Sequence, residues 1–201
     1  YITVMNENYA HPAMPAGAEA DILKGMYLFQ AGAKNAAKKV RLIGAGTIFN
    51  EVIAAAQLLK DDWGVDADLY SAPSFTEVAR EGQAVERENM LHPTSPRKLS
   101  HVETLLQDSD APVIAATDYM RAVAEQIRAY VPSRYTVLGT DGYGRSDTRE
   151  KLRYFFEVNR QWITVAALKA LADDGVIAYE EVAKAIAKYN LDVNKPAPWT
   201  V

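Results

Sequence analysis

The sequence predicts an α/β fold, a three-layer α/β/α arrangement around a mostly parallel sheet of about five strands, with a helical C-terminus. Three observations lead there. Residues 40–70 show a strand-helix-strand rhythm, two short β-type runs bracketing a segment of helical period. Further runs at 112–116 and 135–138 are each followed by a helical pattern, so strands and helices alternate as parallel sheets require. Size sets the scale: 201 residues, 49% hydrophobic and 24% charged, suffice for one domain with a real core.

In chain order, residues 1–5 (YITVM) read as a short strand, and the chain begins at Tyr1 as though it continued something longer. The stretch NENYAHPAMPAG follows, where Pro12, Pro15 and Gly17 forbid a helix and predict an extended linker. Residues 1–17 are accordingly expected to be the end of a preceding domain and an inter-domain linker, with residues 18–201 forming one domain. The spacing of Ile22, Met26 and Phe29 predicts an amphipathic helix over 18–29, with Gly25 weakening its middle.

Residues 40–43 predict a strand, the GAGT of residues 44–47 a tight turn, and Thr47 an N-cap for a helix whose face is Ile48, Val52, Ala55, Ala56 and Leu59. That helix ends by Gly64, and a strand follows at 67–70, joined by a right-handed crossover. SFTE at residues 74–77 predicts a capping box between Ser74 and Glu77, opening a helix to about Met90. Pro93 and Pro96 then halt regular structure, leaving one short helix around 102–107 before the strand at 112–116.

Asp118 is placed to cap a helix with Met120, Val123, Ala124, Ile127 and Val131 on one face, and the strand at 135–138 closes the series. Beyond it lies the polar loop GTDGYGRSD, then a helix over 148–158 capped by Asp147. The run WITVAALKALA at 162–172 is apolar on nearly every side, which predicts a helix covered on more than one face. Such a surface would suit the rest of a subunit or a dimer mate. An ordinary amphipathic helix spans 179–189.

Composition excludes several kinds of chemistry. There is no cysteine, hence no disulfide framework, thiolate metal site or thiol nucleophile. With 22 basic against 26 acidic residues the net charge is -4, a poor match for nucleic acid or an anionic membrane, and no apolar run approaches a membrane span. A soluble protein is expected. In the GAGT turn the third glycine of a dinucleotide fingerprint would fall at Phe49, and the following strand ends in Tyr70 rather than a ribose-binding acid. His11, His92 and His101 have no second histidine at ligand spacing, so packing or surface roles are expected, with His92 singled out only for its place at a helix end.

The strongest local candidate is the loop 139–147, where Asp141, Arg145, Ser146 and Asp147 surround two glycines. Arg145 could grip a carboxylate or phosphate with two prongs, or Asp141 and Arg145 could pair with each other or cap a neighbouring helix. The series Arg149, Lys151 and Arg153 reads as a solvated helix face.

The strings MNENY, PAMP, SFTEVAREGQAVERENMLHP, ATDYM, AEQIRAYVP and GTDGYGRSDTREKLRYFFEV, in order along nearly the whole chain, resemble the C-terminal domains of the homodimeric pyruvate dehydrogenase E1 components of bacteria, members of the transketolase superfamily. The resemblance implies a transketolase-type C-terminal domain over 18–201 and a cytoplasmic bacterial enzyme. In that enzyme, thiamine diphosphate and Mg2+ are bound by upstream E1 domains, and the acetyl group made from pyruvate passes to the lipoyl group of the E2 dihydrolipoamide acetyltransferase. It also implies a second E1 subunit as partner. The family's diphosphate motif, GDG followed by paired asparagines, is not met, since TDG at 140–142 lacks the first glycine and no NN occurs. No catalytic, cofactor-binding or metal residue is therefore expected in this chain, and His92, Asp141, Arg145, Ser146 and Asp147 stand as candidates for an active-site entrance or interface. The rival reading is a stand-alone α/β module that binds or responds to a small ligand at the strand carboxyl ends.

Overall fold

The computed structural model describes residues 7–201; the strand expected over residues 1–5 lies outside the described residues. Five strands form one sheet in the order β1-β3-β2-β4-β5, comprising β1 (Tyr27–Gln30), β2 (Lys39–Gly44), β3 (Asp66–Ser71), β4 (Val113–Ala116) and β5 (Tyr135–Leu138). All neighbours are parallel except β1, which runs antiparallel to β3 with a bulge between Leu28 and Gln30. Helices cover both faces, giving the expected α/β/α layers.

Alternation along the strands divides the core in two. Val40, Leu42, Ala67, Leu69 and Ile114 face α2 (Phe49–Trp63), α7 (Arg160–Asp173) and α8 (Tyr179–Lys188). Ile43, Tyr70, Val113, Ala115 and Val137 face the other way, onto α3 (Phe75–Leu91), α4 (His101–Leu106) and α5 (Arg121–Glu125). The remaining helices are α1 (Glu19–Leu23) and α6 (Arg149–Phe155).

The helix expected over 18–29 is instead a short helix and an edge strand. Gly25 adopts φ +94°, a left-handed turn that ends the helix, and a Cβ there would lie 2.6 Å from the Ser74 carbonyl oxygen, so only glycine fits this turn. The chain turns, Met26 becomes fully buried and Phe29 enters β1. The Gly25 carbonyl also accepts from the Ser74 amide (3.2 Å). This explains why the Ser74 capping box is half made: Ser74 Oγ accepts from Glu77 N (3.1 Å), while Glu77 pairs with Arg80.

Three further caps differ from the expectation. Thr47 sits inside a single 3-10 turn, Gly46–Ile48, and α2 starts behind it without a side-chain cap. Asp118 does not cap α5. Thr148, not Asp147, caps α6 by accepting from Lys151 N, and Asp147 accepts from Thr148 N (2.8 Å) one position earlier. Conversely, the poorly readable segment after Pro96 holds a complete capping box, Ser100 with Glu103, at the start of α4.

α7 is buried round most of its circumference, as its composition predicts, with Ile163, Thr164, Ala167, Leu168 and Leu171 all inaccessible. Its cover is internal: α2, α8 and the sheet enclose it. This corrects the reading of α7 as a surface kept for another part of an assembly.

One buried charge sits in the sheet itself. Arg41, fully buried on β2, donates from Nη1 to the Leu106 and Ser109 carbonyls (2.6 and 2.8 Å) and from Nη2 to Asp108. Its Nε has no hydrogen-bond partner and lies 4.0 Å from Asp68. Asp68 is itself held by Lys39 (2.9 Å) and the Gly32 amide (2.8 Å).

Candidate functional site

The connection leaving β2 runs to β3 on one side, and the chain later returns to β4 on the other, so the strand order reverses between β2 and β4. Loops leaving the carboxyl ends of two such strands diverge and open a crevice. Here a cavity of about 350 Å³ occupies that position. Ile48, Leu152, Phe156 and Val158 form its apolar floor, and Thr47, Asp118, Thr140 and Arg145 give it a polar rim. Gly46 (φ +55°) makes the tight exit from β2, with space for a Cβ 3.6 Å from Asp118 Oδ1.

The loop after β5 brings together part of what the sequence singled out. Asp141 is a helix cap: its Oδ1 accepts from the Arg121 amide at the start of α5 (3.1 Å), and Oδ2 lies 3.7 Å from the Arg121 guanidinium. It thereby takes the role expected of Asp118. Arg145 does not pair with Asp141; its guanidinium stacks on Phe155 at 4.0 Å and reaches the cavity rim. Ser146 is exposed, and Asp147 belongs to the start of α6, 3.7 Å from Lys151. His92 lies elsewhere. α3 leaves the carboxyl edge of the sheet, and its 17 residues carry the chain about 25 Å toward the opposite edge before His92 ends the helix, exposed. His101 is a packing residue, buried with Nε2 2.7 Å from the Met26 carbonyl oxygen.

Two features of this edge escaped the sequence reading. The first is a charge cluster centred on Glu51 in the first turn of α2, 5% exposed. Arg160 donates to it from its backbone amide, Nε and Nη2, each at 3.0 Å, and Arg153 from Nη1 at 3.2 Å. Burial pushes the Glu51 carboxyl up, but the hydrogen bonds from Arg160, with the charges of Arg160 and Arg153, outweigh it and hold it below the ordinary glutamate value. Arg153 is therefore not on a solvated face; Lys151 is. The partners lie more than 100 residues apart in sequence, and no local signal joins them.

The second is that segments near both ends of the described residues lie against α6. Glu7 pairs with Arg149 (2.8 Å), and the Tyr9 hydroxyl donates to Glu7 (2.7 Å) while accepting from Arg153 (3.2 Å). At the other end, Lys195 donates to the Phe155 carbonyl and to Glu157 (2.9 Å each), on the Phe155 ring that carries Arg145. Pro198 then passes so close to Gly142 (φ +109°) that a Cβ there would lie 2.4 Å from the Pro198 oxygen. The loop is thus clamped between the C-terminal tail and α5.

Known proteins share this architecture. Over 98% of its length the chain is 51% identical to the pyruvate dehydrogenase E1 component of Escherichia coli K12, covering 22% of that protein. Over its whole length it is 66% identical to the one from Cupriavidus necator, of which it covers 23%. The chain thus spans under a quarter of the length of these curated relatives. Among solved structures, a transketolase from Leishmania mexicana superimposes with a TM-score of 0.51 at 14% identity, over 79% of this chain and 20% of that one. A Pichia stipitis transketolase in complex with xylulose 5-phosphate gives 0.53 at 15% identity, over 81% and 19%. At such identities the likeness speaks for the fold alone. The family described as the transketolase-like TK C-terminal domain matches residues 25–159, from the turn before β1 to the residue that caps α7, and the chain belongs to that family.

Proposed function

We propose that this chain is the C-terminal domain of a pyruvate dehydrogenase E1 component, residues 1–17 leading in from a preceding domain and residues 18–201 completing the subunit. The 66% identity across the whole chain to such a component carries this reading. The whole enzyme would be a homodimer of the bacterial cytoplasm that decarboxylates pyruvate and hands the acetyl group to the lipoyl group of the E2 dihydrolipoamide acetyltransferase.

Thiamine diphosphate and Mg2+ belong to that chemistry, but the described residues offer them no fitting site. Among the described residues no three His, Asp or Glu side chains converge as metal ligands would. Asp141, the acid of the GDG-like TDG, has its carboxylate committed to the start of α5. In this reading the cofactor belongs to upstream domains, as the family resemblance implies, and this domain's part is architectural. Its exposed loop, carrying Tyr143 together with Arg145, Ser146 and Asp147, is proposed to face the active-site entrance or E2. His92, at the other edge, is proposed for a separate interface.

The test uses the full-length subunit that carries this chain. Pyruvate should reduce an artificial electron acceptor in a manner dependent on thiamine diphosphate and Mg2+; no such activity would overturn the enzyme assignment. Tyr143→Ala, 83% exposed at the loop tip, should slow acetyl transfer to E2 several-fold while leaving acceptor reduction unchanged. Equal effects on the two assays would remove the loop from that role.

A further inference from the structure

We propose that the crevice between the carboxyl ends of β2 and β4 binds a small carboxylate that carries a hydroxyl or ammonium group beside it. The crevice stands at the point where the strand order reverses, and its volume of about 350 Å³ lies at the small end of ligand cavities. Its floor is apolar and its rim polar, which suits a short carbon body with charged ends.

The charges on the rim select the ligand. Arg121, Arg149, Arg153 and Arg160, all at this edge, each hold a carboxylate of the chain: Asp141, Glu7, Glu51 and Glu51 respectively. Arg145 differs. Among the described residues it forms no salt bridge or side-chain hydrogen bond, and its guanidinium lies over the face of Phe155. Stacking fixes the plane of the guanidinium and leaves the donors on its edge for a forked pair of hydrogen bonds, the geometry a carboxylate matches. Phe155 is in turn steadied by Lys195, 5.2 Å from its centroid, so the platform does not depend on a ligand.

Asp118 supplies the second contact. It lines the same cavity as Arg145, yet the two form no salt bridge. An acid and a base that share a crevice without meeting leave a gap that one molecule can bridge, its carboxylate on Arg145 and its donor on Asp118. Thr47, lining the same cavity, adds a hydroxyl. An anion with no donor of its own, such as propionate, would satisfy Arg145 but face the negative charge of Asp118 unaided.

This proposal stands on the crevice alone and survives or fails independently of the pyruvate dehydrogenase reading, because it is tested by binding and not by turnover. The full-length protein is titrated calorimetrically with L-lactate, with propionate, which lacks the hydroxyl, and with inorganic phosphate, at constant ionic strength. Lactate should bind more tightly than propionate. Arg145→Gln should weaken lactate about tenfold, with Arg145→Lys recovering little of the loss. Asp118→Asn should abolish the preference for lactate over propionate. Both substitutions are at exposed positions outside the core, and unchanged thermal unfolding confirms that the fold is kept. Equal affinity for lactate and propionate, binding of phosphate alone, or lactate binding unchanged by Arg145→Gln would each overturn the proposal.

Discussion

Replacing Arg41 with alanine should lower the stability of the fold by about 3 kcal/mol, the largest effect expected of any single polar substitution in the sheet. Two costs combine. Truncating a fully buried side chain leaves a cavity between the sheet and the turn after α4, and it orphans the Leu106 and Ser109 carbonyls. The carboxylates matter less: Asp108 is 75% exposed and returns to water, and Asp68 keeps Lys39 and the Gly32 amide. Asp108→Ala should therefore cost under about 1 kcal/mol. The check is urea unfolding followed by circular dichroism, where Arg41→Ala should move the midpoint with little change in slope. A loss comparable to that of Asp108→Ala would show that Arg41 is not an anchor for the turn.

Glu51→Gln should cost about 2 kcal/mol at neutral pH, less than for a fully enclosed ion pair because Arg160 is 45% exposed. It leaves the guanidinium groups of Arg153 and Arg160 without their carboxylate and loosens the junction of α2, α6 and α7. The pH dependence gives a second readout. The folded-state pKa of Glu51 lies below the ordinary 4.5, so the unfolded chain takes up the proton first on acidification. Stability from this group is fully present above that ordinary value and is lost as pH falls through the depressed one. The gap between wild type and Glu51→Gln should thus be constant near neutrality and close in acid. A gap that stays open where carboxylates are fully protonated would assign the loss to shape rather than charge.

What could be read from the sequence, and what could not, separates along the range of the interactions. The Ile48, Val52, Ala55, Leu59 face of α2 and the runs of β2 to β5 were legible because each packs by its own period against the sheet. The family strings carried the architecture further. Caps failed where the partner came from elsewhere: α5 takes its cap from Asp141, 20 residues on, and Gly25 turns the chain out of α1 against the backbone of Ser74. Arg41 hid inside a β-type run, and Glu51 was invisible without Arg153 and Arg160 beside it. In loop 139–147 the residues alone left open whether Asp141 pairs with Arg145 or caps a helix, because the choice depends on where α5 and Phe155 lie in space; Asp141 holds the start of α5 and Arg145 lies on Phe155. His92 could not be placed without knowing which way α3 returns.

The position of β2 sets how long different parts of the molecule remember being folded. It is hydrogen-bonded along its length to β3 on one side and from Arg41 onward to β4 on the other, with helices over both faces. Its amides can meet deuterated water only when the whole sheet comes apart, so they should exchange at the rate of global unfolding. Among the described residues β1 has one partner, β3, and its pairing is broken by a bulge. It should exchange far sooner through local fraying, and in a deuterium time course the sheet should fill inward from β1, with the amides between Arg41 and Gly44 the last to lose their protons.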